Sequence, residues 1–387
     1  MKIGWIRYPQ VLYRTGQVIK GGSEIANQYI IDYLRSKKID VAEFEPSSSG
    51  RIDLIKIPAV GTPLMFQDLL NRIDEINGCD LVFTTNWFGS ILPEIKKPII
   101  TIFHHDSQLA LRFSYYDVVE NKAVFDKWMN ELKKFSLGAR NHQTLHDQVI
   151  SIDENYLAHH SKKNIAVSNF LKKCLVDDYS LNEKMITTIY NSFTPDWRIA
   201  SEKVIKNFKD PKLKLICVTR LPVDEAGLII KGSDRLFETF SKDLGLDKTI
   251  LATTKPGVYG NFFKTSLEGV HYIENADREM VKKALAESHI SLHPSRCESF
   301  GLSVVESMLM GNVPIAFPTG VVEEFIENGK NGFIVNSIEE VLKVIENLTR
   351  DRKLLKDISR HARESVLKKM SPDLIGEQYL KIIQEVI

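Results

Sequence analysis

Several features that define common protein classes are scarce in this sequence of 387 residues. Its four cysteines lie far apart with no Cys-x-x-Cys pair, so neither a disulfide framework nor a cysteine zinc site is expected. No apolar run approaches the roughly 20 residues that a membrane span needs. Lys plus Arg number 51 and Asp plus Glu number 50, which argues against a protein held on nucleic acid or membrane mainly by bulk charge.

Targeting and nucleotide-binding signatures are also missing. The opening MKIGWIRYPQ has no apolar core followed by a small-residue cleavage site, so a cytoplasmic location is expected, with peripheral contact at the inner face of the membrane as a further option. There is no GxxxxGK[ST], no HExxH and no GxGxxG after the first predicted strand, which excludes the motif-defined P-loop, zinc hydrolase and dinucleotide classes.

What the sequence does contain is an alternation of short apolar runs with longer amphipathic stretches, typical of parallel βαβ units. In the first half, strands are predicted at residues 3–6, 80–84, 99–103, 164–167 and 186–190. The pattern then restarts, with strands predicted at 213–218, 289–292, 313–316 and 332–335. Helices are predicted at 23–34, 232–244, 302–310 and 373–386.

This repetition predicts two doubly wound α/β domains. We place the first at residues 1–195 and the second at 196–368, joined near Pro195, which breaks any helix. Residues 107–160 are less regular and are predicted to form a helical elaboration of the first domain. The segment 369–387 is predicted to be a helix that returns to pack on the first domain.

The stretch SLHPSRCESFGLSVVE, residues 291–306, carries the most chemical information. A strand is predicted to end in a loop that contains Glu298, and a helix then begins near Gly301, whose missing side chain permits close backbone approach. The first N–H groups of that helix lack intrahelical partners and, with the helix dipole, form an anion site. Glu306 could accept two hydrogen bonds from a vicinal diol such as a ribose. The alternative is that both glutamates are solvated surface residues.

This stretch, followed by MLMGNVPIAF, resembles the glutamate–seven residues–glutamate motif of retaining glycosyltransferases of family 4, which have the GT-B fold. The resemblance implies an α/β architecture of two Rossmann-like, doubly wound parallel-sheet domains facing a central cleft. It implies that Glu298 contacts the sugar of a nucleotide diphosphate sugar and that Glu306 contacts the ribose. The neighbouring residues implied in donor binding are Ser299, Phe300, Gly301 and Leu302.

Two basic residues extend the resemblance. The stretch VTRL, which contains Arg220, and the later pair Lys231-Gly232 are similar to the family's Gly-Arg-Leu…Lys-Gly segment, although Thr219 replaces the usual glycine and the spacing is longer. The resemblance implies that Arg220 and Lys231 neutralise the diphosphate. Fixed cations stabilise the charge that develops on a leaving diphosphate, so the chemistry agrees. An ordinary salt bridge is the alternative for Arg220.

The first half supplies two further candidates. Gly21 and Gly22 precede the first predicted helix and resemble the family's Gly-Gly loop, whose backbone approaches the donor phosphates. His104, which follows the strand IITIF, stands where the family often places a catalytic histidine near the reacting sugar. His105 and Asp106 are alternatives on the acceptor side, and a histidine satisfied by the backbone is the structural alternative.

The resemblance therefore implies a retaining, hexosyltransferase-like enzyme that uses a nucleotide diphosphate sugar, by default a UDP-sugar. No cofactor and no metal are expected, since the sequence has no Asp-x-Asp of the kind that holds a metal in the other glycosyltransferase architecture. The expected acceptor is a hydroxyl of a cell-surface glycan or a lipid-linked intermediate. Front-face attack, with the leaving phosphate taking the acceptor's proton, would explain why no nucleophile and base pair is visible.

Three alternatives remain open at this point. Residues 104–112, HHDSQLALR, also look like a loop of the phage-type glycosyltransferases that modify hydroxymethylpyrimidines in DNA, so DNA is kept as a second acceptor. A non-catalytic partner subunit that binds a nucleotide sugar is another, although such subunits usually lose residues such as Glu298 and Arg220. A sugar-nucleotide epimerase on the same architecture is the third.

Overall fold

The computed structural model describes residues 1–7, 22–46, 66–85, 88–135, 142–222, 225–253 and 259–387, without the side chains of residues 90 and 142–149. The strands are β1 Lys2–Ile6, β2 Asp40–Phe44, β3 Leu81–Thr85, β4 Ile99–Phe103, β5 Lys163–Ala166, β6 Ile186–Thr188, β7 Lys214–Thr219, β8 Asp247–Ala252, β9 Val270–Ile273, β10 Ile290–His293, β11 Val313–Ala316 and β12 Phe333–Ile334.

Helices connect these strands and cover both sheets. The α-helices are α1 Gly22–Ser36, α2 Ile73–Asn77, α3 Ser107–Arg112, α4 Lys122–Lys133, α5 His142–His160, α6 Asn169–Tyr179, α7 Pro195–Glu202, α8 Glu225–Ile230, α9 Ser233–Ser241, α10 Tyr259–Ser266, α11 Arg278–Glu287, α12 Leu302–Leu309, α13 Val322–Phe325, α14 Ile338–Arg350, α15 Arg352–Lys369 and α16 Pro372–Val386. Short 3-10 turns occupy Gly89–Glu94, Tyr116–Val118 and Glu183–Met185. Within the described ranges, no helix has both the length and the hydropathy of a bilayer-crossing segment.

The chain divides into two compact units, each built on one parallel sheet. The first unit comprises Met1–Leu109, Leu145–Thr194 and Met370–Ile387. The second unit comprises Ala110–Thr144 and Pro195–Lys369. The fold class is the predicted one, because both sheets are parallel and each is wound in two directions from its first strand.

The sheet of the first unit has the order β2-β1-β3-β4-β5-β6. Its central strands β3 and β4 are buried along their whole length, which accounts for their largely apolar sequences, LVFTT and IITIF, interrupted only by threonine. The last helix, α16, packs against α1 in this unit. Gly376 permits that approach, because a Cβ added there would lie 2.4 Å from the ring of Tyr33.

The sheet of the second unit has the order β12-β11-β10-β7-β8-β9. The chain winds from β7 outward through β8 and β9, and then returns to place β10, β11 and β12 on the other side of β7. Strands β7 and β10 are therefore neighbours at the point where the winding direction reverses. In doubly wound sheets, ligands bind outside the carboxyl ends of the strands at such a point.

Residues 110–144 belong to the second unit, which corrects the prediction that all of 107–160 elaborates the first domain. Helix α4 buries an apolar stripe, and the ring of Trp128 meets Phe237 of α9 and Phe262 of α10 edge-on, each at 6.0 Å between centroids. The prediction followed chain order. The attachment is decided instead by the apolar surface of α9 and α10, which the stripe of α4 covers.

Candidate active site

The predicted donor-binding residues of the second unit lie at one edge of its sheet. Arg220 directly follows β7, and the loop of residues 294–301 directly follows β10. Because β7 and β10 are adjacent and parallel, their carboxyl ends lie side by side. The Arg220 side chain is exposed, and its guanidinium forms no hydrogen bond or ion pair with the residues that the structure describes. Its guanidinium donors are therefore available to an anion.

Lys231 and Glu298 form the central contact of this site. The Lys231 Nζ lies 2.6 Å from Glu298 Oε1, and the Ser295 hydroxyl donates to the same oxygen at 2.9 Å. The side chains of Lys231 and Glu298 are 23% and 27% exposed, so this pair is held by the fold and still reaches solvent. A carboxylate restrained in this way can accept a hydrogen bond from a ligand hydroxyl in a fixed direction.

The backbone around this pair is fixed by short-range contacts. The N–H groups of Arg296 and Cys297 donate to the carbonyl of Ile230 at 2.9 and 3.3 Å. Gly232 has a φ of +60°, and a Cβ at this position would lie 2.0 Å from the Pro294 carbonyl oxygen. Only glycine therefore allows the turn between α8 and α9 to rest directly on the loop that carries Glu298.

Gly301 ends this loop in the left-handed conformation, with a φ of +90°, and α12 begins at Leu302. The first N–H groups of α12 lack intrahelical partners and carry the positive end of the helix dipole. The Phe300 side chain is buried against Phe325, so its contribution to a ligand is limited to its backbone. Ser299 is also buried.

Glu306 lies on the second turn of α12 with its side chain 12% exposed. Burial raises the pKa of this carboxyl to about 7, although the Arg278 guanidinium, 3.9 Å from Glu306 Oε1, acts in the opposite direction. The group therefore changes charge near neutral pH. An ionised Glu306 can accept the paired hydrogen bonds that a vicinal diol offers.

The other predicted residues lie in the first unit. Gly22 begins α1, whereas Gly21 lies outside the described residues. His104 follows β4, and its Nε2 is 2.9 Å from Asn27 Oδ1 of α1. Burial lowers the pKa of His104 to about 4, so the imidazole is neutral at pH 7. His105, the next residue, is half-buried.

Asp106 is fully buried, so the structure gives it a helix-capping role in place of the predicted contact with an acceptor. Its Oδ1 accepts the backbone N–H groups of Gln108 and Leu109 at 2.9 and 3.1 Å, which caps α3. Burial, together with the nearby Asp178 and Glu154 carboxyls, raises the pKa of Asp106 to about 7.

Sequence reasoning missed the residues that support Glu298. Thr319 accepts the backbone N–H of Glu298 at 2.9 Å through its hydroxyl. Gly320 follows with a φ of +56°, and a Cβ there would lie 2.4 Å from the Phe300 carbonyl oxygen. The Thr-Gly pair after a strand is a turn signal. Only the fold shows that this turn lies against the Glu298 loop.

Parts of this sequence are similar to known proteins. Residues 264–365 match the family model described as glycosyl transferases group 1. An uncharacterized 41.2 kDa protein in the cps region of Klebsiella pneumoniae is 29% identical over 197 residues, which are 50% of this chain. The aligned residues are 52% of the length of that relative, so the chain spans about half of it.

Solved structures match over the whole chain. A sucrose-phosphate synthase from Thermosynechococcus elongatus has a TM-score of 0.75 at 13% identity and covers 99% of this chain and 98% of its own. Anabaena HepE, solved in complex with UDP-glucose, has a TM-score of 0.64 at 15% identity and covers all of both chains. The chain therefore has the GT-B fold. The segment of the second unit that matches the group 1 glycosyltransferase model contains Glu298 and Glu306.

Proposed function

We propose that this protein is a retaining glycosyltransferase that moves a sugar from a nucleotide diphosphate sugar to a hydroxyl acceptor. The observation that carries the proposal is the Glu298 carboxylate, which Lys231 holds at the edge of the sheet where Arg220 and the start of α12 also lie. Such a site offers a carboxylate for sugar hydroxyls beside cations and amides for a diphosphate.

A UDP-sugar is the first candidate donor. The similar fold of HepE was solved with UDP-glucose, and Glu306 offers a carboxylate for the ribose hydroxyls of any nucleotide. Arg220 has free donors for the phosphate oxygens, and Lys231 can exchange its contact with Glu298 for one with the diphosphate. No cofactor is needed for this reaction in our proposal, and the two cations and the α12 amides do the electrostatic work of a metal.

In the proposed mechanism, the bond between the anomeric carbon and the diphosphate oxygen breaks, and both its electrons leave with the diphosphate. Arg220, Lys231 and the α12 amides stabilise the resulting charge. The acceptor oxygen then forms its bond to the anomeric carbon on the same face, and its proton passes to the departing phosphate oxygen. Glu298 orients the sugar through a hydroxyl and forms no bond to carbon.

The acceptor is assigned to the first unit in this proposal. His104 is neutral at pH 7 and is held by Asn27, so it can exchange a hydrogen bond with a hydroxyl without adding charge. His105 is the alternative. A glycan or lipid-linked glycan is the first acceptor class, with peripheral contact at the inner face of the membrane. DNA is second, because the net charge of +1 offers little attraction to a polyanion.

A thermal-shift and turnover panel tests this function. Uridine, guanosine and adenosine diphosphates are added in turn, and a specific ligand raises the melting temperature by mass action. Purified protein is then incubated with the matching sugar nucleotides, and the release of free nucleotide is measured with and without glycan, lipid-linked glycan and hydroxymethylated DNA acceptors. Saturable binding without turnover supports a non-catalytic binding subunit. A single altered sugar nucleotide supports an epimerase, and a flat panel contradicts the proposal.

A further inference from the structure

A carboxylate far away in the sequence contacts two arginines next to the candidate site. Glu120 lies just before α4, and its two oxygens bind separate guanidinium groups: Oε1 contacts Arg235 and Oε2 contacts Arg296. Arg296 is two residues before Glu298, and Arg235 lies in the first turn of α9. Glu120 therefore links the segment before α4 to the loop that follows β10.

Both arginines fix the backbone of the site. Arg296 is buried and pairs with both oxygens of Asp234 at 2.7 and 2.8 Å, while its NH1 also donates to the Ile229 carbonyl at 3.0 Å. Arg235 donates to the Pro294 carbonyl at 3.0 Å and lies 3.9 Å from the centre of the Phe317 ring. These bonds tie the start of the β10 loop to the turn that carries Lys231.

The charges of this cluster balance only when Glu120 is included. Arg235 and Arg296 carry two positive charges, and Asp234 supplies one negative charge within the second unit. Burial disfavours the charged form of Glu120, but Arg235 and Arg296 hold its pKa below the usual range. Without Glu120, the two guanidinium groups would lie close together in a poorly solvated place, and the Asp234 carboxylate alone would neutralise only one of their two charges.

We propose that Glu120 is a positioning residue of the transfer reaction: it holds Arg235 and Arg296 together and so keeps Lys231 and Glu298 in their reactive geometry. This inference rests on the function proposed above. Glu120 touches neither Lys231 nor Glu298 in the described structure and acts through the two arginines. Since a misplacement of about 1 Å at a reacting group can reduce the rate about 100-fold, a small shift of this loop is enough to matter.

A residue that only stabilises the fold would affect the melting temperature more than the turnover when it is removed. The Glu120 side chain is 51% exposed, so its removal leaves no core cavity. Helix α4 is anchored separately by the buried Trp128 and Leu132. Loss of Glu120 should therefore lower turnover much more than it lowers the melting temperature.

The test compares Glu120→Ala with Glu131→Ala, a matched removal of a glutamate whose ion pair in the described structure is with Lys134, just after the end of α4. With the sugar nucleotide that the wild-type protein uses, we expect kcat to fall about 10- to 100-fold in Glu120→Ala and to stay within twofold in Glu131→Ala. The melting temperatures of both variants should stay within a few degrees of the wild type. If Glu120→Ala does not fold, Glu120→Gln, which keeps the shape of the side chain, takes its place.

A double-mutant cycle with Glu298→Gln supplies the decisive readout. If Glu120 acts through Glu298, its removal in the Glu298→Gln background changes kcat less than twofold, whereas independent effects multiply. Equal kcat values in Glu120→Ala and Glu131→Ala, or multiplying effects in the cycle, overturn the positioning role and leave the proposed function standing. A wild-type protein that neither binds nucleoside diphosphates nor releases nucleotide overturns the proposed function and the inference with it.

Discussion

Lys231 and Glu298 neutralise each other, with Nζ 2.6 Å from Oε1, although 67 positions separate them in the chain. The residue implied in phosphate binding is thus already bound to the residue implied in sugar binding. A diphosphate that binds the Lys231 ammonium group must compete with the Glu298 carboxylate for it. The two proposed tasks, holding the nucleotide and orienting the sugar, are therefore coupled.

The first prediction follows from this coupling. Glu298→Gln should lower transfer turnover by about 100-fold while UDP binds equally well or up to about tenfold more tightly, because the freed Lys231 charge becomes available to the diphosphate. Calorimetry with UDP and a transfer assay measure the two effects. Glu346→Gln, which removes a carboxylate from a surface ion pair, is the control. A parallel loss of UDP affinity and turnover would contradict the coupling.

Arg220 is predicted to bind phosphate only. Arg220→Ala should weaken UDP binding by about 10- to 100-fold and leave the much weaker binding of uridine unchanged, because charge-assisted hydrogen bonds to phosphate are lost and nothing else is. Competition binding against a fluorescent nucleotide distinguishes the two ligands. Arg350→Ala, a surface arginine paired with Glu346, should behave as the wild type. Equal losses for UDP and uridine would remove Arg220 from the phosphate site.

Glu306 should make nucleotide affinity depend on pH. Its pKa is raised to about 7, so the carboxyl is mostly protonated at pH 6 and mostly ionised at pH 8. If the ionised form binds the ribose hydroxyls, affinity rises by up to about tenfold over that interval. Calorimetric titrations of UDP from pH 5.5 to 8.5 measure the effect. Glu306→Gln cannot ionise, and a pH dependence identical in this variant would show that another group is responsible.

The two left-handed glycines Gly232 and Gly245 form a matched pair for testing the close contact beneath Lys231. Both have positive φ, at +60° and +62°, but a Cβ at Gly245 meets nothing within 4 Å, whereas one at Gly232 would meet the Pro294 carbonyl at 2.0 Å. Gly245→Ala should cost about 1–2 kcal/mol of conformational strain. Gly232→Ala should cost about 1–3 kcal/mol more, from overpacking. Urea unfolding of both variants measures the difference, and equal losses would contradict the contact.

Asp106 should make stability fall as pH rises. The unfolded chain releases this proton near the ordinary value of 3.8, while the folded protein retains it up to about pH 7, so the free energy of unfolding decreases across that interval. Asp106→Asn can still cap α3 but cannot ionise. Its stability should therefore vary less between pH 5 and 8 than that of the wild type. The control is Asp117→Asn, at an exposed position, which should keep the wild-type dependence of stability on pH. If Asp106→Asn also keeps that dependence, burial does not hold the proton on Asp106.

The central strands could be predicted because a strand that is buried on both faces consists of mostly apolar residues in a row. The predictions 99–103 and 313–316 coincide with β4 and β11. Of the strands in the described ranges, β2, β8 and β9 were not predicted. The first residues of β2 and β8 are charged or half-buried, and β9 is an edge strand with no fully buried residue, so their sequences lack an uninterrupted run. Tertiary pairing, more than local pattern, makes these segments strands.

The site was predictable as a set of residue types but not as contacts. The start of α12, where we predict an anion site, could be located from Gly301 and the strand before it. The Lys231–Glu298 contact could not, because it requires the α8–α9 turn to rest on the β10 loop. The contact of Glu120 with Arg296 could not be predicted either, because it joins segments that are 176 positions apart in the chain. The assignment of each residue to sugar, phosphate or ribose stays a prediction.

Residues 110–144 belong to the second unit, and this limits how chimeras of this protein can be built. A chain restricted to residues 195–369 would lack Trp128 and Leu132, so the apolar face of α9 and α10 would be open to water and prone to aggregate. Transplanting the second unit whole into a homologue requires four junctions, after residues 109, 144, 194 and 369. A chimera made with one crossover near residue 195 would combine α4 from one parent with its binding surface from the other.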